Sequence, residues 1–201
     1  GVSSGVTSLE FHNFLNHKKI QHRFLISDKF STIYISPGLV TRVHDRNDDL
    51  MLGYVGPFLA SDKNLFFPLS KCLFQLIKRR QISLPRPILR VKLFTPNVRE
   101  AIRKGEITEL DYDIFQRTTS GDFSFVRCLN LLNDKHFSPI KICQALDSLF
   151  DSLEPNGLLL IGQTKGRKTH ASLFRKMEFG FSLVAEMNDG SPISPLVLNY
   201  R

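Results

Sequence analysis

Six histidines, His12, His17, His22, His44, His136 and His170, are the first residues in this chain to ask for chemistry. None stands in an HxxxH or HxH spacing with acids, so no metal site is expected. His136 and His170 fall in loops after late strands, where a histidine is either a general base or merely solvated. A nucleophilic serine would want a G-x-S-x-G elbow, and a nucleoside triphosphate a G-x-x-x-x-G-K-[ST] loop; neither is present. Cys72, Cys128 and Cys143 are widely spaced, odd in number and set among apolar residues. They read as ordinary thiols in a reducing, cytoplasmic setting, not as disulfides or zinc ligands.

Polar and glycine positions offer a second set. Gly53-Tyr54-Val55-Gly56-Pro57 is either a tight strand-to-helix turn or a place where backbone approaches a ligand without a Cβ clash. Asp111 and Asp113 flank Tyr112; Asp113 is either a capping or loop acid or a ligand contact. Arg127 lies at an apolar strand end, where an unpaired charge is costly. It therefore pairs with Asp111 or Asp113, or it faces a cleft. Asn130 and Asn133 follow that strand and suit either ligand contact or ordinary loop chemistry.

Charge is uneven. The net is +8, but residues 1–105 carry +10 and residues 106–201 carry −2. Residues 71–104 hold ten basic residues, with Glu100 as the one acid. Such a stripe attracts phosphate backbones or acidic protein surfaces. The plainer reading is that Lys78-Arg79-Arg80 ends a helix and complements its dipole. No run of about 18 apolar residues is present, so no membrane span is expected. The opening Gly1-Val2-Ser3-Ser4-Gly5 has neither a charged n-region nor an apolar h-region, so a secretory signal is not expected either.

The elements that must position these residues follow from periodicity. Residues 7–20 read as a helix capped by Ser8, and residues 22–26 and 32–35 as short strands forming a possible hairpin. Residues 1–45 are an N-terminal extension, and residues 46–201 one α/β domain. In that domain residues 50–57 open a sheet. Leu65, Leu69, Cys72, Leu73, Leu76 and Ile77 recur at helical steps. Residues 88–94 form a strand, 97–104 a helix, 107–115 and 123–129 strands, and 139–153 an amphipathic helix. Asn156-Gly157 turns the chain into the strand 158–162. Residues 171–178 are expected helical, with strands at 181–187 and 196–200. Strands alternating with helices argue a mostly parallel sheet, its ligand at the strands' carboxyl ends. The connection 188–192 is too short for a crossover, so the last strand should run antiparallel beside 181–187.

Four segments carry a family likeness. Lys92-Leu93-Phe94-Thr95-Pro96-Asn97-Val98-Arg99, Asp111-Tyr112-Asp113-Ile114-Phe115, the run Ser124 to Leu132 and Leu153-Glu154-Pro155-Asn156-Gly157-Leu158-Leu159 together resemble class I S-adenosylmethionine-dependent methyltransferases. The run around Arg127 and Asn130 looks most like the chemotaxis-receptor methyltransferase branch. The resemblance implies a Rossmann-like α/β sheet, mostly parallel with one antiparallel C-terminal strand, and S-adenosylmethionine as cofactor. It places the cofactor against Gly53, Gly56, Leu93, Asp111, Asp113 and Asn130. Two departures stand out: the glycine loop has the wrong spacing, and Lys92 or Leu93 occupies the place of the acid that grips the ribose.

Two functions follow. One is methyl transfer to an unknown acceptor, an in-line displacement in which the protein aligns the nucleophile. The other is a non-catalytic methyltransferase-fold scaffold binding RNA or an acidic protein through residues 71–104.

Overall fold

The computed structural model describes residues 5–27, 31–38, 40–45, 49–55, 58–61, 68–79, 88–110, 112–116 and 121–200. They form two compact units, Val2–Asp111 and Tyr112–Arg201.

The first unit begins with α1 (Val6–His17) and the short strand β1 (Leu25–Ser27). Strands β2 (Thr32–Ser36), β3 (Val40–His44), β4 (Leu50–Val55) and β5 (Phe58–Ala60) then run as a meander. The connections between them have two to five residues, which allow hairpins and forbid helical crossovers. Asp45 and Asp49 close the turn between β3 and β4: the Asp45 N–H donates to the Asp49 carbonyl, and the Asp49 N–H to the Asp45 carboxylate. Helix α2 (Pro68–Arg79) packs Phe74 and Ile77 on Ala60, with Val40, Leu50 and Val55 beside them. Strand β6 (Leu89–Lys92) then pairs antiparallel with β2, giving the five-stranded order β5-β4-β3-β2-β6. Helix α3 (Pro96–Arg103) has Pro96 at its first turn and buries Val98 and Ala101 with Phe94, Ile107 and Ile26. Strand β7 (Thr108–Leu110) pairs parallel with β1.

The second unit is built on β8 (Phe123–Leu129), α4 (Pro139–Ser152) and β9 (Leu153–Lys165), a βαβ crossover with parallel strands. Ser138 caps α4 by accepting the Lys141 N–H, and Pro139 follows the cap. Ile142, Leu146, Leu149, Phe150 and Leu153 are buried, while Lys141 and Gln144 are exposed. The apolar stripe packs as an amphipathic helix requires, while Asp147 and Asp151 on its other side are half-buried. Between Phe123↔Leu153 and Phe125↔Leu158 the register slips. The slip holds Pro155-Asn156-Gly157, with Asn156 left-handed at φ 65°. A Cβ on Gly157 would meet the carbonyl oxygens of Glu154 and Phe123 at 2.9 and 3.0 Å, so this position needs glycine. Strands β10 (Lys168–Lys176) and β11 (Phe181–Met187) continue antiparallel, and α5 (Ser194–Leu198) ends the unit.

This overturns the Rossmann-like sheet. The large sheet is antiparallel throughout, the four-stranded sheet β11-β10-β9-β8 is mixed, and among the described residues a parallel pair otherwise occurs only between β1 and β7. Residues 50–55 join a meander instead of opening a βα unit, and residues 88–94 supply an outer antiparallel strand. Residues 22–26 and 32–35 do not form a hairpin with each other; β1 pairs with β7, and β2 with β3 and β6. Residues 171–176, expected helical, are strand, because Gly166 (φ 60°) and Arg167 turn the chain straight back onto β9. Cross-strand burial of Ala171 and Phe174 outweighs the local helical preference. Residues 196–200 are not a strand beside β11. Pro195 starts α5 there, and Val197 and Tyr200 are buried.

Candidate functional site

The residues expected to hold a cofactor fall in both units. Gly53 lies within β4, paired with Arg42 on one side and Ala60 on the other. A Cβ there would stand 2.7 Å from Ile77 Cδ1, so the missing side chain makes room for α2. Leu93 follows β6, exposed, with its N–H donated to the Ser31 carbonyl. In the second unit the Asp113 carboxylate accepts the Phe115 N–H of its own turn. Asn130, at φ 58°, bridges the carboxyl ends of the parallel pair. Its N–H donates to the Gly162 carbonyl, and its side-chain oxygen accepts the Thr164 N–H at 2.6 Å. Gly56 and Asp111 lie outside the described residues. Gly53, Leu93, Asp113 and Asn130 thus each have a packing or turn contact within their own unit.

The other candidates are placed as plainly. Arg127 is half-buried in β8 opposite Leu160. Asn133 caps its own turn by accepting the Lys135 N–H, and His136 beside it is exposed. His170 lies within β10, its Nδ1 3.6 Å from Asp189 Oδ2. Burial pushes the Cys128 thiol up to about 11, so it stays protonated at neutral pH. Among the described residues no group of three or more His, Cys, Asp or Glu could hold a metal ion. No described helix is long and apolar enough to cross a membrane.

The basic segment gains a shape. Strand β6 is one of the two outer strands of the five-stranded sheet, and among the described residues no strand pairs with its outer side. Its register on β2 is Thr32↔Lys92, Ile33↔Val91, Tyr34↔Arg90 and Ile35↔Leu89. Successive side chains point to opposite faces. Leu89 and Val91 therefore share one face with Ile33 and Ile35, and Arg90 and Lys92 share the other. Leu89 is 56% exposed and Val91 36%. Exposed Arg99, Arg103 and Lys104 follow on α3 and its end.

Glu109 of β7 organises the charged face. It accepts a hydrogen bond from Ser31 Oγ at 2.8 Å and pairs with the Lys92 ammonium. Burial alone would raise its carboxyl, but the Lys92 and Ser31 hydrogen bonds and the charges of Lys92 and Arg90 hold it below its ordinary value. Lys92 is thus fixed in place beside Arg90.

Sequence reasoning located the basic stripe but missed that it forms an outer strand. Alternation in Leu89-Arg90-Val91-Lys92 is the signal that could have found it. It also missed a contact between His12 and His22, ten residues apart, for which no spacing motif exists. No protein-family model matches the chain, and comparison with curated proteins finds no relative.

Proposed function

We propose that residues 2–111 form a protein-interaction module that takes an extended acidic segment as an added strand along β6. The observation that supports it is the alternation of exposed apolar and basic residues on an outer strand. Outer strands offer unpaired N–H and C=O groups, and an incoming strand gains backbone hydrogen bonds plus side-chain readout on both faces. A partner alternating acidic with β-branched residues would set its acids beside Arg90 and Lys92 and its apolar side chains beside Leu89 and Val91. A second copy of β6 suits the edge poorly. Antiparallel self-pairing either opposes Arg90 to Arg90 or Lys92, or sets basic residues against apolar ones.

The test is fluorescence anisotropy with the full chain and a short labelled peptide of alternating Glu and Val. Binding should be saturable, and Arg90→Glu should weaken it about tenfold or more, the worth of a charge-assisted contact. An alternating Lys and Val peptide should not bind. Tighter binding of a single-stranded oligouridylate, or an unchanged affinity in Arg90→Glu, would overturn the reading. So would saturable heat on calorimetric titration with S-adenosylmethionine, which would return the chain to the methyl-transfer reading.

A further inference from the structure

His12 sits on α1, only 5% exposed, and its ring meets that of His22, which follows the helix. Three hydrogen bonds run through the pair, one between the rings and two to their surroundings. His22 Nδ1 lies 2.7 Å from the Ile20 carbonyl, His12 Nδ1 lies 2.9 Å from His22 Nε2, and Asn16 Nδ2 lies 3.0 Å from His12 Nε2. One arrangement of protons satisfies all three. A carbonyl only accepts, so His22 Nδ1 carries a proton and, in a neutral ring, Nε2 is an acceptor. His12 Nδ1 must then donate to it, which leaves His12 Nε2 to accept from the Asn16 amide.

An added proton breaks this chain. On His22 Nε2 it sets two N–H groups against each other. On His12 Nε2 it faces the Asn16 NH2. Rotating that amide would accept it but leave a charged ring buried beside Phe24. The charged groups His12 feels are His22, which opposes its protonation, and Glu106 beyond α3, which favours it. Burial is the larger influence, and the net effect holds His12 below its ordinary value.

Besides this pair, α1 is held by apolar contacts, among them the Phe11 ring against Phe24. It has no side-chain cap and no acid in its first turn, and Val6 and Phe14 are exposed. Leu9 packs against the cluster of Phe94, Val98 and Ile107, and a Cβ on Gly5 would stand 3.0 Å from Val98.

We propose that the His12–His22 pair is a proton-operated latch: neutral, it holds α1 over Phe94 and Val98, and protonated, it releases the helix and uncovers that apolar surface. The depressed group stabilises the closed form fully above the ordinary histidine range, and that contribution is lost as pH falls through the lowered value.

Amide hydrogen exchange of the full chain, corrected for the intrinsic pH dependence of exchange, reads the latch directly while imidazole NMR follows the two rings. Between about pH 7.5 and about pH 5, protection of residues 6–17 should fall about tenfold or more relative to α4, tracking ring protonation. Asn16 is exposed, so Asn16→Asp should fold. Its carboxylate accepts the His12 Nε2 proton, so this variant should raise the His12 titration and keep α1 protected at the acidic end. The proposal fails if α1 keeps its protection while both rings protonate, or if Asn16→Asp releases the helix as the unaltered chain does. It fails equally if zinc binds stoichiometrically to the pair at neutral pH, which would make it a metal site.

Discussion

At the scale of single residues, the informative positions are those whose partners decide between packing and chemistry. Gly53, Asp113 and Asn130 each have the type a ligand site needs, yet each is used by the fold: Gly53 admits Ile77, Asp113 closes its own turn, and Asn130 clips β8 to Thr164. Glu109 is different, because two basic residues converge on it. Its carboxyl, held below the ordinary 4.5, stabilises the fold above that pH, and the contribution is lost as pH falls through the lowered value. Lys92→Met should therefore cost about 1 kcal/mol near neutrality and progressively less in acid. Urea midpoints across that range would show it, and an equal cost at both ends would mean the pairing adds nothing.

Among the elements, α4 has the plainest energetics. Its buried stripe of Ile142, Leu146, Leu149 and Phe150 meets Leu159, Ile161 and Phe174 in one cluster. Lys176 of β10 donates to the Phe150 and Leu153 carbonyls at 2.6 Å each, and the Phe150 carbonyl also accepts the Leu153 N–H that caps the helix. Leu146→Ala, at a position with no exposed surface, should destabilise by about 2–5 kcal/mol through lost burial and the cavity left behind. Chemical denaturation would measure it, and a loss below about half a kcal/mol would mean that the face tolerates collapse.

For the whole molecule, the net charge of +8 is the feature that bears on a partner. Residues 1–105, the part that includes β6, carry +10, and the rest of the chain −2. Association with the Glu–Val peptide should therefore be steered by charge and weakened by salt. Raising ionic strength from about 0.05 M to about 0.5 M shortens the screening length severalfold and should slow the association rate more than it speeds dissociation. Stopped-flow anisotropy separates the two rates; a salt-independent association rate would place recognition on Leu89 and Val91 instead of Arg90.

What the sequence determined by itself is the part that depends on near neighbours. The apolar repeat of residues 139–153, the strand at 123–129 and the break at Asn156-Gly157 are all legible because periodicity and turn chemistry act over a few residues. Strand direction is another matter. Nothing within Leu50–Val55 or Leu89–Lys92 says whether a neighbour runs parallel; connection length and hydrogen bonding to distant strands decide that, and here they built an antiparallel meander. Residues 171–176, expected helical, and 196–200, expected as a strand, departed from those states for the same reason, since burial against β9 and the α4 cluster outweighs weak local preference. The meeting of His12 with His22, and the outer position of Arg90 on its sheet, were likewise set only when the chain folded.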